Sequence, residues 1–209
     1  MNRRHIIKGA AAVIPATVAL QMLNTRWAFG QTDFANPLEV LNYALTLEYL
    51  EAEFYRQGNE AGLLDGKEAT YLQKIGEHEA QHVTALTQTI QKLGGTPVAA
   101  PGVDFGGAFA SRESYLGTAY TFENLGVSAY LGAAPSLFAQ KELLSAAAGI
   151  FGVEARHAAI VGNLLGKPAE GGVYAGPVET PKSKAVVLSA AKPFLTGPSA
   201  MAGGAATTT

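Results

Sequence analysis

One short pattern, repeated once at a fixed distance, constrains this chain more than any other feature. Glu79-x-x-His82 returns as Glu154-x-x-His157, 75 positions later. The same shift carries Glu48 onto Glu123 and Tyr55 onto Tyr130. Less loaded neighbours follow: Ala44, Thr46, Leu50, Ile75 and Ala80 map onto Ala119, Thr121, Leu125, Ile150 and Ala155. Four chemically costly positions at one offset predict a duplicated helical hairpin. Each copy offers one lone Glu and one Glu-x-x-His.

The helix signals agree with that reading. Asn36 can cap a first helix, with Pro37 at its first position and Glu39 three after the cap. Leu38, Leu41, Leu45, Glu48, Ala52 and Tyr55 then recur at helical spacing, and Gly58 is expected to end the run. Asp65 opens a second helix through Tyr71, Ile75, Glu79, His82, Leu86 and Ile90, with a stop at Gly94-Gly95. Residues 95–110 are rich in Gly, Pro and Ala and read as a connection without structure of its own. Ser111 caps a third helix carrying Tyr115, Ala119, Glu123 and Tyr130, which must end near Pro135. The fourth starts near Lys141 and stops at Gly166-Lys167-Pro168. Short links inside each hairpin and one long link between them give an all-α fold, a four-helix bundle of two hairpins joined by a long crossover. The expected organisation is 1–30 export signal, 31–168 bundle, and 169–209 a Gly-, Pro-, Ala- and Thr-rich tail, partly disordered, with a short helix at 183–192.

On a helix, residues three apart share a face. Glu79 with His82, and Glu154 with His157, can therefore each reach one point from a single helix. Adding Glu48 and Glu123 makes four carboxylates and two imidazoles converging on a core. Without a cation such a group is expensive to bury. The donor set suits iron or manganese in an open pair. Tyr55 and Tyr130 lie seven residues, about 10 Å, beyond Glu48 and Glu123. They are read as hydrogen-bond donors to ligand carboxylates, a core tyrosine being the plain alternative. Glu51, three after Glu48, reads as a semi-exposed helix residue, with an accessory ligand as the alternative. His78 has Val153 as its repeat counterpart and reads as peripheral.

These residues, across roughly 34–168, resemble the ferritin-like di-iron carboxylate superfamily, and among its members bacterial exported proteins related to desiccation-related proteins. The resemblance implies that Glu48 and His82 bind one metal ion, Glu123 and His157 the other, and that Glu79 and Glu154 bridge. It implies two iron ions, or manganese, with Fe(II) and oxygen or peroxide as reactants in stress protection. The chain has no cysteine, so the superfamily's rubredoxin-type electron-transfer module has no counterpart. A structural, desiccation-protective protein with little turnover is the alternative function. His78-Glu79-x-x-His82 also spells a zinc-protease motif, in which His78 and His82 would hold zinc and Glu79 act as base.

The N-terminus has its own pattern. Arg3-Arg4-x-Ile6-Ile7-Lys8 precedes a weak apolar run to Leu23, and Ala28 and Gly30 stand before Gln31. This resembles a twin-arginine (Tat) signal, implying the Tat machinery as a partner and a periplasmic or extracellular location. With 15 basic and 17 acidic residues, nothing calls for a nucleic-acid partner. A homodimer is the expected assembly.

Overall fold

The computed structural model of the protein describes residues 33–197; the expected export signal and the last residues of the tail lie outside them. Four long helices form the body: α1 (Pro37–Glu60), α2 (Gly66–Lys92), α3 (Arg112–Ala133) and α4 (Lys141–Leu164). The starts of α1 and α3 are set by side-chain caps. Asn36 Oδ1 accepts the Glu39 amide at 2.9 Å. Ser111 and Ser114 form a reciprocal capping box. Gly94, at φ +76°, turns the chain out of α2 in the left-handed region that a side chain resists.

α1 pairs with α2 across the short turn 61–65, and α3 with α4 across a 3₁₀ turn, Ala134–Leu137, that contains Pro135. The hairpins then dock through α1 and α3. Tyr115 donates to Asn59 Oδ1 at 3.0 Å near one end, and Tyr130 donates to Glu48 toward the other. These two contacts make α1 and α3 antiparallel. Arg112 closes one end of the bundle by donating to Glu68 on α2 and to the Leu164 carbonyl on α4.

Three expectations change. Gly58 does not end α1; the helix runs through it to Glu60. Its hydrogen is needed because the Tyr115 ring lies where a Cβ would be. The crossover is not featureless. It contains a strand, β1 (Gly102–Val103), and a 3₁₀ turn, Gly106–Phe109. It also lowers Phe105 and Phe109 onto Phe54, with ring centroids 5.2 and 5.3 Å away. Burying one phenylalanine is worth about 1.5–3 kcal/mol, so the two rings offset part of the entropy lost in ordering the loop. The third change is in the tail, which returns to the bundle. α5 (Lys184–Ala191), capped by Ser183, buries Val187 and Ala191. Beyond it β2 (Leu195–Thr196) pairs antiparallel with β1, and Phe194 packs edge-on against Phe122 at 4.8 Å. The aromatic cluster of Phe54, Phe105, Phe122 and Phe194 thus caps one half of the bundle and leaves the middle to polar groups.

Candidate metal centre

In that middle layer, α1 contributes Glu48, α2 contributes Glu79 and His82, α3 contributes Glu123, and α4 contributes Glu154 and His157. Helical spacing three turns each pair inward from one helix, and the antiparallel docking of α1 on α3 brings the two sets face to face. All four carboxylates are buried, Glu79 and Glu123 completely. His82 Nδ1 lies 3.0 Å from Glu79 Oε2, 3.2 Å from Glu48 Oε2 and 3.4 Å from Glu154 Oε1. His157 Nδ1 lies 2.9 Å from Glu79 Oε1 and 3.3 Å from Glu123 Oε2. Two groups of donor atoms result, Glu48–Glu79–His82–Glu154 and Glu79–Glu123–Glu154–His157, each with its atoms within 4.8 Å of one another. Glu79 and Glu154 belong to both.

The tyrosines cross over between the repeats. Tyr55 donates to Glu123 Oε1 and Tyr130 to Glu48 Oε1. Each phenol therefore serves the carboxylate of the opposite hairpin and fixes its outer oxygen. The inner oxygens, Glu123 Oε2 and Glu48 Oε2, face the histidines. Spacing along one helix suggested a phenol one layer beyond its own Glu; the antiparallel packing puts that layer level with the other copy's Glu.

Two residues that sequence reasoning set aside belong to this layer. His78 is not peripheral: its Nδ1 and His157 Nε2 share a hydrogen bond at 2.9 Å, and the rings stack at 5.2 Å and 11°. Holding Nε2 leaves His157 Nδ1 to face the carboxylates. Glu51 is not semi-exposed: it is 4% exposed, beside Glu154. A signal for Glu51 existed, since an acid three residues from a buried Glu shares its face; for His78 the repeat argued the other way.

Charge in the layer is arranged around the histidines. Burial lifts Glu48 to about 8, against the pull of its His82 hydrogen bond. Burial and neighbouring carboxylates raise Glu154 and Glu51 well above the usual range, and burial lifts Glu123 to about 6. Burial opposes ionisation of Glu79 as well, but the His157 and His82 rings beside it overcome it and hold the group at about 2. Burial also disfavours charged His82, yet the Glu154, Glu48 and Glu79 carboxylates around it carry it to about 12. Glu123 and Glu79 lift His157 to about 10 in the same way.

The two imidazoliums do not satisfy the layer. Glu51 Oε2, Glu79 Oε1, Glu123 Oε2, Glu154 Oε1 and His157 Nδ1 are all buried without a hydrogen bond. The short separations around His157 Nδ1 are thus lone pairs and a ring nitrogen drawn to one point at angles unsuited to hydrogen bonding. Unpartnered donors of this kind are costly in a core and are what a hard or borderline cation would satisfy. The buried carboxylate–histidine cluster is compatible with a site for two metal ions. The zinc-protease geometry fails here, because neither donor group includes His78.

A family model described as a ferritin-like domain matches residues 36–167. No curated protein matches the chain.

Proposed function

The chain belongs to the ferritin-like domain family, and from that premise we propose that it is an exported protein holding two iron ions, with manganese as the alternative, that oxidises Fe(II) or reduces oxygen or peroxide. The observation that carries the proposal is the pair of buried donor groups sharing Glu79 and Glu154. Glu48 and His82 would hold one ion and Glu123 and His157 the other. When bound, two Fe(II) side by side supply the two electrons that reduce one peroxide to water.

The chain's own residues supply position, dryness and proton control. Tyr130 and Tyr55 each pin the outer oxygen of a carboxylate and leave the inner one for a cation. Burial keeps both phenols protonated and therefore donors. His82 and His157 carry protons in the metal-free layer, so binding must expel them. An apolar cavity of about 70 Å³, lined by Leu41, Ala44, Leu86, Tyr130, Ala147 and Ile150 among others, gives a small neutral oxidant a place beside Tyr130. Larger apolar cavities stay dry and take up nonpolar molecules.

Stopped-flow mixing of the metal-free protein with Fe(II) and oxygen or peroxide tests the activity. Oxidation faster than the protein-free background is expected. A rate equal to background would remove the oxidase reading and favour the structural, desiccation-protective one. Export rests on Arg3-Arg4-x-Ile6-Ile7-Lys8. Replacing both arginines by lysine is expected to leave the protein in the cytoplasmic fraction.

A further inference from the structure

The repeat that carries the donor residues fails at Glu51 as it does at His78. Shifting Glu51 by 75 gives Gly126. The structure sets these two positions opposite each other where α1 meets α3. A Cβ built on Gly126 would stand 3.4 Å from Glu51 Oε1 and would collide with Glu154 Oε2. The missing side chain thus leaves room for Glu154 Oε2, and Glu51 Oε1 comes up from the other hairpin to the edge of the same space. Glu51 is buried, and its Oε2 has no hydrogen-bond partner. A core carboxylate in that condition is destabilising unless a cation meets it.

We propose that Glu51 is a further ligand of the centre, a fifth carboxylate delivered beside Glu154, and that Gly126 is the clearance that seats Glu154 next to it. The inference rests on the two-ion reading above. It makes the centre unequal despite the duplicated ligands. Four carboxylates balance two divalent ions; a fifth leaves one negative charge over, which favours a pair containing at least one trivalent ion. Metals that reach that state, such as iron and manganese, are then preferred over zinc or magnesium.

The test compares the metal-free mature protein with Glu51→Gln, of equal size, and Glu51→Leu, using Co(II) as the probe. Glu53→Gln, on the outer face and paired with Arg56, is the control. Wild type and control are expected to take up two Co(II) per chain. Glu51→Gln is expected to bind one of them at least about tenfold more weakly. The thermal midpoints should change sign: both Glu51 variants melt higher than wild type without metal and lower with saturating Co(II). A residue that only packs would move both midpoints in the same direction. Wild-type Co(II) affinity in Glu51→Gln, with midpoints shifting alike in both states, would overturn the proposal and leave the two-ion reading standing. A wild type that binds no Co(II) would overturn both.

Discussion

The first hairpin, α1 with α2, and the second, α3 with α4, place matching donors around one centre but are otherwise unlike. α2 buries Leu72, Ile75, Leu86 and Ile90 around its glutamate and turns a polar face outward. α4 is long and apolar, yet most of it is not buried, and its inward positions are chiefly Glu154, His157, Ala158 and Val161. Donor positions thus survive a change of packing that the rest of the helix does not. Ligand geometry tolerates little displacement, whereas a helix face can be covered by many combinations of apolar side chains. Where the inward positions themselves differ, at Glu51 against Gly126 and His78 against Val153, the two halves of the centre should differ in behaviour.

The largest expected effects probe the likeness. Glu48→Ala and Glu123→Ala should each lower bound metal from about two ions per chain to about one, because each residue belongs to only one donor group. Titration of the metal-free variants followed by calorimetry checks this. Loss of both ions from one variant and none from the other would break the equivalence of the hairpins.

Next in size is a pH effect shared by both halves. Glu48, raised to about 8, and Glu51 and Glu154, raised well above the usual carboxylate range by burial, are protonated more readily folded than unfolded. Their contribution is complete below the unfolded value near 4.5 and is lost as pH rises through the folded value. His82 and His157, raised to about 12 and about 10, act in the same direction above 6.5. Glu79, held at about 2, acts oppositely, but only in acid below 4.5. The metal-free protein should therefore unfold at lower denaturant concentration at pH 8 than at pH 5. Saturating metal should reverse that order, since binding expels the protons and tightens as pH rises.

The smallest effects separate the halves. Tyr55→Phe and Tyr130→Phe each remove one hydrogen bond to a donor carboxylate and should cost metal affinity similar factors, about 10–100-fold. His78→Ala has no mirror image. It frees only His157 and should weaken one ion by about tenfold, leaving the other unchanged. Competition titrations would measure both sets, and equal weakening of the two ions by His78→Ala would contradict the assigned asymmetry.

Much of this architecture was legible in the chain itself. Caps at Asn36, Asp65 and Ser111, the stops at Gly94 and Gly166, and the offset of 75 together define four helices and their pairing. The donor residues that the offset singles out are those that converge. What was not legible depends on contacts between distant segments. Glu51 sits at an edge of its helix face that either solvent or a neighbour could cover, and only the packing of α3 and Glu154 against it decides which. His78 gains its role from a ring on another helix. Gly58 looks like a terminator until Tyr115 is placed against it. The crossover contains too few apolar residues to announce structure and the tail announces only its short helix, yet Phe105, Phe109 and Phe194 anchor both.

The most direct measurement is the metal content per chain of the mature protein by elemental mass spectrometry, beside Glu79→Ala and Glu154→Ala. About two iron or manganese ions in the wild type, with both lost in either variant, is the expected result because these two carboxylates belong to both donor groups. A wild type without metal, or a single zinc ion retained in Glu154→Ala, would contradict it.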